Sequence, residues 1–190
     1  MAEQVLFKYR SLENWQFLLN ILVNKRLYAA LFKDLNDPME GRYYYFGDEM
    51  TKAFRRVVRA RKDDWRICSL TKDPNNTLMW SYYSGGHTGV ALGLTVPSSS
   101  SYRIRDVFYD SQIGIGPNSL RRPAREVALD ILSQKQLSWA HEREVRVFSP
   151  SAYVPIRLRE IGSASKLQRL IGSCWTRSSG EPTLGCASSR

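Results

Sequence analysis

Residues 144–148 read Glu-Val-Arg-Val-Phe, directly after Trp139-Ala140-His141-Glu142-Arg143. Such alternation predicts a β-strand, on which residues i and i+2 project from one face. Glu142 and Glu144 then point together, into water or into a shared cleft. Paired carboxylates serve catalysis when one stabilises a positive centre and the other handles a proton. They also occur as solvated residues, here in a ladder with Arg143 and Arg146 worth under about 1 kcal/mol at a surface. The rest of the chain has to decide between the two.

At 190 residues the sequence is long enough for one domain with a substantial core. We place that domain at residues 1–171 and read 172–190, which lack periodicity, as a flexible tail. An apolar share of 43% with 12% aromatics excludes wholesale disorder. No apolar run approaches the roughly 20 residues of a membrane-spanning helix, and residues 1–4 carry no basic, then apolar, secretion signal. Cys68, Cys174 and Cys186 are odd in number and lack metal-ligand spacing. A disulfide scaffold or metal site is therefore not expected, and the cytoplasm is the natural compartment. Lys and Arg total 28 against 18 Asp and Glu, a formal charge of +10. Much of the excess lies in Lys52, Arg55, Arg56, Arg59, Arg61, Lys62 and Arg66, which favours polyanions or phosphate-bearing small molecules as partners.

Val5 to Tyr9 predicts a first strand, and Ser11 stands where an N-cap belongs, ahead of a helix over 12–25. Trp15, Leu18, Leu19, Leu22 and Val23 have the spacing of its buried face. A short strand over 26–31 and an Asn36-Asp37-Pro38 turn follow, then a basic amphipathic helix over 49–62. Strands are expected at 65–71, 90–94, 102–109 and 153–158. A helical turn is expected at 78–83, and a helix over 123–135 is entered through Pro123. The class is α+β, a split mixed or antiparallel sheet core with flanking helices.

Three separated segments carry a resemblance. Leu6-Phe7-Lys8-Tyr9-Arg10-Ser11 is completed by Leu35-Asn36-Asp37-Pro38-Met39-Glu40. Ile67-Cys68-Ser69-Leu70-Thr71 is followed by Leu78-Met79-Trp80-Ser81-Tyr82-Tyr83 and Gly86-His87-Thr88-Gly89. The third is Trp139 to Arg146. In order and spacing, over about residues 5–160, they resemble the DUF2971 family of bacterial and phage proteins. That family brings no chemistry with it. The arrangement is also similar to the ADP-ribosyltransferases, with an Arg on the first strand, a Ser-x-Ser/Thr strand at mid-chain and a late Glu-x-Glu. Arg10, Ser69-Leu70-Thr71 and Glu142-Arg143-Glu144 stand in that order. The segment between the middle motif and Glu144 departs from what that group shows.

The resemblance implies NAD as substrate and ADP-ribose transfer to a macromolecule such as RNA, DNA or a host protein, by a toxin, defence effector or phage factor. Glu144 would stabilise the positive charge that develops on the ribose, and Glu142 would orient or deprotonate the acceptor. Arg10 would grip the diphosphate or ribose, Ser69 and Thr71 would bond the ribose, and Tyr82, Tyr83 or Trp80 would stack on a ring. His87, after two glycines, is a candidate acid or base, and Asn36 and Asp37 stand at a turn beside the cleft. Each residue also has a plain reading. Arg10 could pair with Glu13, Ser69 and Thr71 are ordinary strand residues, a loop histidine usually bonds structurally, and Trp80 and Trp139 read as core. Two alternatives stay open: a non-catalytic module using Arg55, Arg56 and Arg59 on nucleic acid or a protein, and a nuclease holding a divalent cation on Glu142, Glu144 and Asp37.

Overall fold

Strand β1 is Leu6–Arg10 in a computed structural model that describes residues 4–47 and 50–164. Ser11 closes a turn by accepting from Glu13 N at 3.1 Å, and helix α1 begins later, at Trp15–Asn24. The face it buries is Leu18, Ile21 and Leu22, while Trp15, Leu19 and Val23 are exposed. Gln16, Asn20 and Asn24 mark its polar side, and the other seven positions are apolar and offer more than one stripe to bury. The expected 26–31 strand is two, β2 (Arg26–Tyr28) and β3 (Ala30–Leu31). β4 (Tyr44–Tyr45) precedes α2 (Lys52–Lys62), where Thr51 Oγ1 caps Phe54 N at 3.1 Å.

β5 (Arg66–Thr71), α3 (Thr77–Tyr83) and β6 (Val90–Thr95) follow. The expected 102–109 strand breaks into β7 (Arg103–Asp106) and β8 (Phe108–Asp110), before β9 (Gly114–Ile115). Helix α4 (Ala124–Leu132) stops short of residue 135, which lies instead on β10 (Gln134–Gln136). β11 (Glu144–Ser149), β12 (Tyr153–Pro155) and β13 (Arg157–Ser163) complete the order. The proposed tail at 172–190 lies outside the described residues.

The architecture is α+β. The main sheet runs β13-β6-β1-β5-β11-β7 with every adjacent pair antiparallel, and β3 also pairs with β5. Shorter pairs are β2 with β12, and the parallel β8 with β10 and β4 with β9. One core packs Cys68, Leu70, Val145 and Val147 of the central strands against Ile21 of α1. On the other face Ile67 and Phe148 meet Leu129 and Leu132 of α4, and α2 stacks on α4 through Val58, Val127 and Ile131. Both faces of β11 are therefore covered, and all six of its residues are buried. A strand buried on both faces cannot leave Arg146 in solvent, so a buried anion must be found for it. Among the described residues no helix is long and apolar enough to cross a membrane.

Candidate functional site

β11 occupies one edge of β5 along its whole length. The other edge is shared: β1 pairs only at Phe7 with Thr71, and β3 only at Ala30 with Ile67 and Leu31 with Arg66. Between these contacts the sheet opens. Lys8 Nζ takes up part of the free edge, donating to Ser69 O at 2.7 Å. A cavity of about 470 Å³ lies at this opening, within the range of small-molecule sites. Arg10, Asn36, Ser69, Thr71, Tyr82, Glu142 and Glu144 all line it. They come from five elements and the loop that carries Asn36, and meet because β1 and β11 flank β5.

The two glutamates meet by a different route from the one their spacing implies. Glu142 ends a 3₁₀ turn, Leu137–Glu142, and Arg143 turns the chain in a left-handed conformation at φ 46°. The strand starts only at Glu144. The shared strand face is thus corrected, yet both side chains converge on Lys135. Its Nζ lies 2.6 Å from Glu142 Oε2 and 3.4 Å from Glu144 Oε2. Glu142 Oε1 also accepts from Tyr83 OH at 2.6 Å. The turn that carries Glu142 is held by Thr71 Oγ1 donating to Glu142 O and Asn76 Nδ2 donating to His141 O, each at 2.6 Å. Thr71 is buried and works as a brace for this backbone.

Glu144 sits opposite Thr71, and Arg146 opposite Ser69. Arg146 is fully buried and pairs with Glu144 and Glu40, so these charges form a buried network and not the solvated ladder that was the alternative reading. Burial alone would raise the Glu144 carboxyl, but Arg146, Lys135 and the Ser69 hydroxyl hold it at about 2. Lys135 is likewise opposed by burial, and Glu144 and Glu142 outweigh this and raise it. Glu144 is therefore a permanent anion at neutral pH. Burial, and then its tyrosine-to-carboxylate bond with Glu142, raises the Tyr83 phenol, which stays protonated as a donor.

Cations form the opposite wall. Burial, and next the Arg10 charge, lowers Lys8 to about 8. Arg10 has no ion pair among the described residues, including the possible one with Glu13, and its Nε is buried without an acceptor. An anion seated on the guanidinium would relieve that deficit. Asp37 Oδ1 accepts from Met39 N at 2.8 Å and so builds the turn beside Asn36. Tyr82 is exposed at the rim, edge-on to Tyr83. Trp80 is core, but Trp139 is not: it lines the cavity, with Lys135 Nζ 4.8 Å from its ring centroid.

His87 falls outside the lining, half-buried in a turn at φ 70° with its N–H donated to Trp80 O. Arg55, Arg56 and Arg59 are exposed on α2, apart from this cavity. Glu40, Lys135 and Lys8 are site residues that spacing did not single out. The signal for the first was Arg146 itself, a cation in an apolar strand that demands a buried partner. For a metal, no group of three or more His, Cys, Asp or Glu able to hold one occurs among the described residues. Glu40, Glu142 and Glu144 surround the Lys135 ammonium instead, Glu40 at 3.8 Å. Compared with family models, curated proteins and solved structures, the chain gives no match.

Proposed function

We propose that the chain is an ADP-ribosyltransferase-like enzyme of the DUF2971 kind, binding NAD in the cavity beside β5 and passing ADP-ribose to a macromolecule. The observation that carries this reading is the meeting of Arg10, Ser69, Thr71, Glu142 and Glu144 around one cavity between separated strands. The opening of the sheet along β5 fits the split-sheet fold that the resemblance implies.

The proposed chemistry follows from the charges. The bond from ribose C1′ to the nicotinamide nitrogen breaks, its electron pair stays on the already cationic ring, and neutral nicotinamide leaves. Positive charge then grows on C1′ and the ring oxygen. Glu144, ionised and rigidly held, provides the fixed negative potential that this state needs. Arg10 and Lys8 take the diphosphate on the opposite wall. The acceptor's nucleophilic atom bonds to C1′ and releases its proton to Glu142, which Lys135 and Tyr83 orient. Tyr82 and Trp139 offer ring faces at the mouth and wall. The acceptor is a nucleic acid or a protein, and a free buried Cys68 suits work in the cytoplasm.

The nuclease alternative would need Glu142, Glu144 and Asp37 around one cation, and the first two already pair with Lys135 and Arg146. The test is labelled NAD, carrying isotope in the adenosine, incubated with the protein and cell extract. Label should enter protein or nucleic acid with release of nicotinamide, and Glu144→Gln should stop both. Because that change also disturbs Arg146, Glu142→Gln and Arg10→Lys are run beside it, each expected to slow turnover at least tenfold, with Arg10→Lys leaving melting unchanged. Full NAD turnover in all three variants sinks the assignment.

A further inference from the structure

A second cavity, of about 530 Å³, lies between α2 and the Tyr43-Tyr44-Tyr45 segment. Arg55, Arg59 and Lys62 face it from positions i, i+4 and i+7 of α2, a single helical stripe, and Arg42 faces it from the loop before β4. Lys62 is buried, donates to Gly41 O at 2.8 Å and lies 5.7 Å from the Tyr43 ring centroid. Burial, and next the Arg59 charge, lowers it. Among the described residues no carboxylate lines this cavity, and Arg42, Arg55 and Arg59 make no ion pair. Arg61, turned away on the same helix, is by contrast paired with Asp64 at 3.1 Å. Among the described residues, like charges are thus gathered at one mouth without a counter-charge, an arrangement that an external anion would relieve.

We propose that this second cavity binds single-stranded nucleic acid, with phosphates on the arginines and a base against Tyr44. The aromatic content decides against an acidic peptide, which would use the cations and leave the rings idle. Tyr44 is 65% exposed, so its face is free to stack on a base. Concavity decides against a duplex, whose stacked bases cannot enter. The position also connects the two sites. Met39 and Gly41 line the second cavity while Glu40 between them lines the first, and on β10 Gln136 faces the second cavity while Lys135 faces the first. The two cavities share a wall, and a strand held in one lies beside the carboxylates of the other. Its role as acceptor rests on the proposed transferase, whereas its binding does not.

The test is fluorescence anisotropy of the full chain with fluorescein-labelled single-stranded 12-mers of DNA and RNA, without NAD, over a salt series. The corresponding duplex, a mononucleotide and a polyglutamate peptide serve as competitors. Single strands should bind, and Arg42→Ala with Arg55→Ala and Arg59→Ala should lower the slope of log affinity against log salt by about two to three. Tyr44→Ala should weaken binding roughly five- to hundredfold with little change in the slope. All four side chains are exposed, so melting should be unchanged. Affinity unmoved by the arginine changes, indifference to Tyr44→Ala, or competition by polyglutamate or duplex as strong as by unlabelled single strand overturns the proposal. So does capture of the mononucleotide but not the 12-mer. Strand binding with no NAD consumption would remove the transferase and leave this site standing, and NAD consumption without strand binding would do the reverse.

Discussion

Glu144 and Arg146, two residues apart on β11, are joined by two hydrogen bonds of 2.9 Å, Nε to Oε1 and Nη2 to Oε2. The same guanidinium donates to both oxygens of Glu40, at 2.8 and 2.5 Å, and to Leu132 O at 2.6 Å. All five of its N–H donors are used. This one side chain ties the loop before β4, the end of α4 and strand β11 together behind the cavity. Arg146→Met leaves Glu40 and Glu144 buried without their partner, and removal of one member of a buried ion network costs about 3–5 kcal/mol. Arg146→Lys should recover only part of this, since an ammonium cannot fork to two carboxylates. Urea denaturation reads both, and midpoints equal to the parent's would refute the network's structural role.

Acid should loosen the same network. Glu144 lies at about 2 in the folded chain against an ordinary 4.5, so the folded state holds fewer protons than the unfolded one between these values. Its contribution is fully present above about 4.5 and is lost as pH falls toward 2. A shift of this size corresponds to at most about 3 kcal/mol. Urea midpoints measured from pH 6 down to pH 2.5 should fall mainly below 4.5. A profile flat across that window contradicts the assigned ionisation.

Much of the candidate site was legible because the motifs fall on strands that the sheet makes neighbours. Arg10, Ser69 and Glu144 were named as candidates through the resemblance, and antiparallel pairing of β1, β5 and β11 brings them to one cavity. What spacing could not show was the path of the chain at Arg143, where a left-handed residue takes Glu142 off the strand. Local alternation is blind to such a turn in a non-glycine residue. Lys135 was hidden for a different reason. Gln134-Lys135-Gln136 has no apolar alternation, and its burial comes from parallel pairing with β8 and from the carboxylates around it. The buried face of α1 was only partly read because seven of its ten residues are apolar and offer more than one stripe, and tertiary contacts choose Leu18, Ile21 and Leu22.

Arg10 depends on a residue that touches nothing in the cavity. A Cβ added at Gly89 would stand 2.1 Å from Arg10 O and 2.7 Å from Ser84 O, both backbone atoms with little room to move. Gly89→Ala should push the end of β1 and carry Arg10 with it. Overpacking of this kind costs about 1–3 kcal/mol, and NAD affinity by calorimetry should fall tenfold or more. Unchanged affinity together with unchanged stability would show that the strand end is not held here.

Lys8 provides a pH signature that separates ligand binding from general unfolding. Burial and the neighbouring Arg10 bring its ammonium down to about 8, while Arg10 keeps its charge throughout the accessible range. An anionic ligand favours the protonated lysine, so binding takes up a proton above pH 8. The dissociation constant for NAD should therefore rise with pH from about 8 onward, its logarithm approaching one unit per pH unit. Stability responds with the opposite sign. Between about 8 and the ordinary 10.5 the folded chain holds fewer protons than the unfolded one, so this group makes the fold more stable as pH rises. Lys8→Met should remove both dependences and leave weak, pH-independent binding, whereas Lys8→Arg should retain a cation that does not titrate. Calorimetric titrations from pH 6.5 to 9.5, paired with urea midpoints, read the two signs separately. If affinity and stability fell together, alkaline loosening of the fold would explain them, and Lys8 would have no part in holding the ligand.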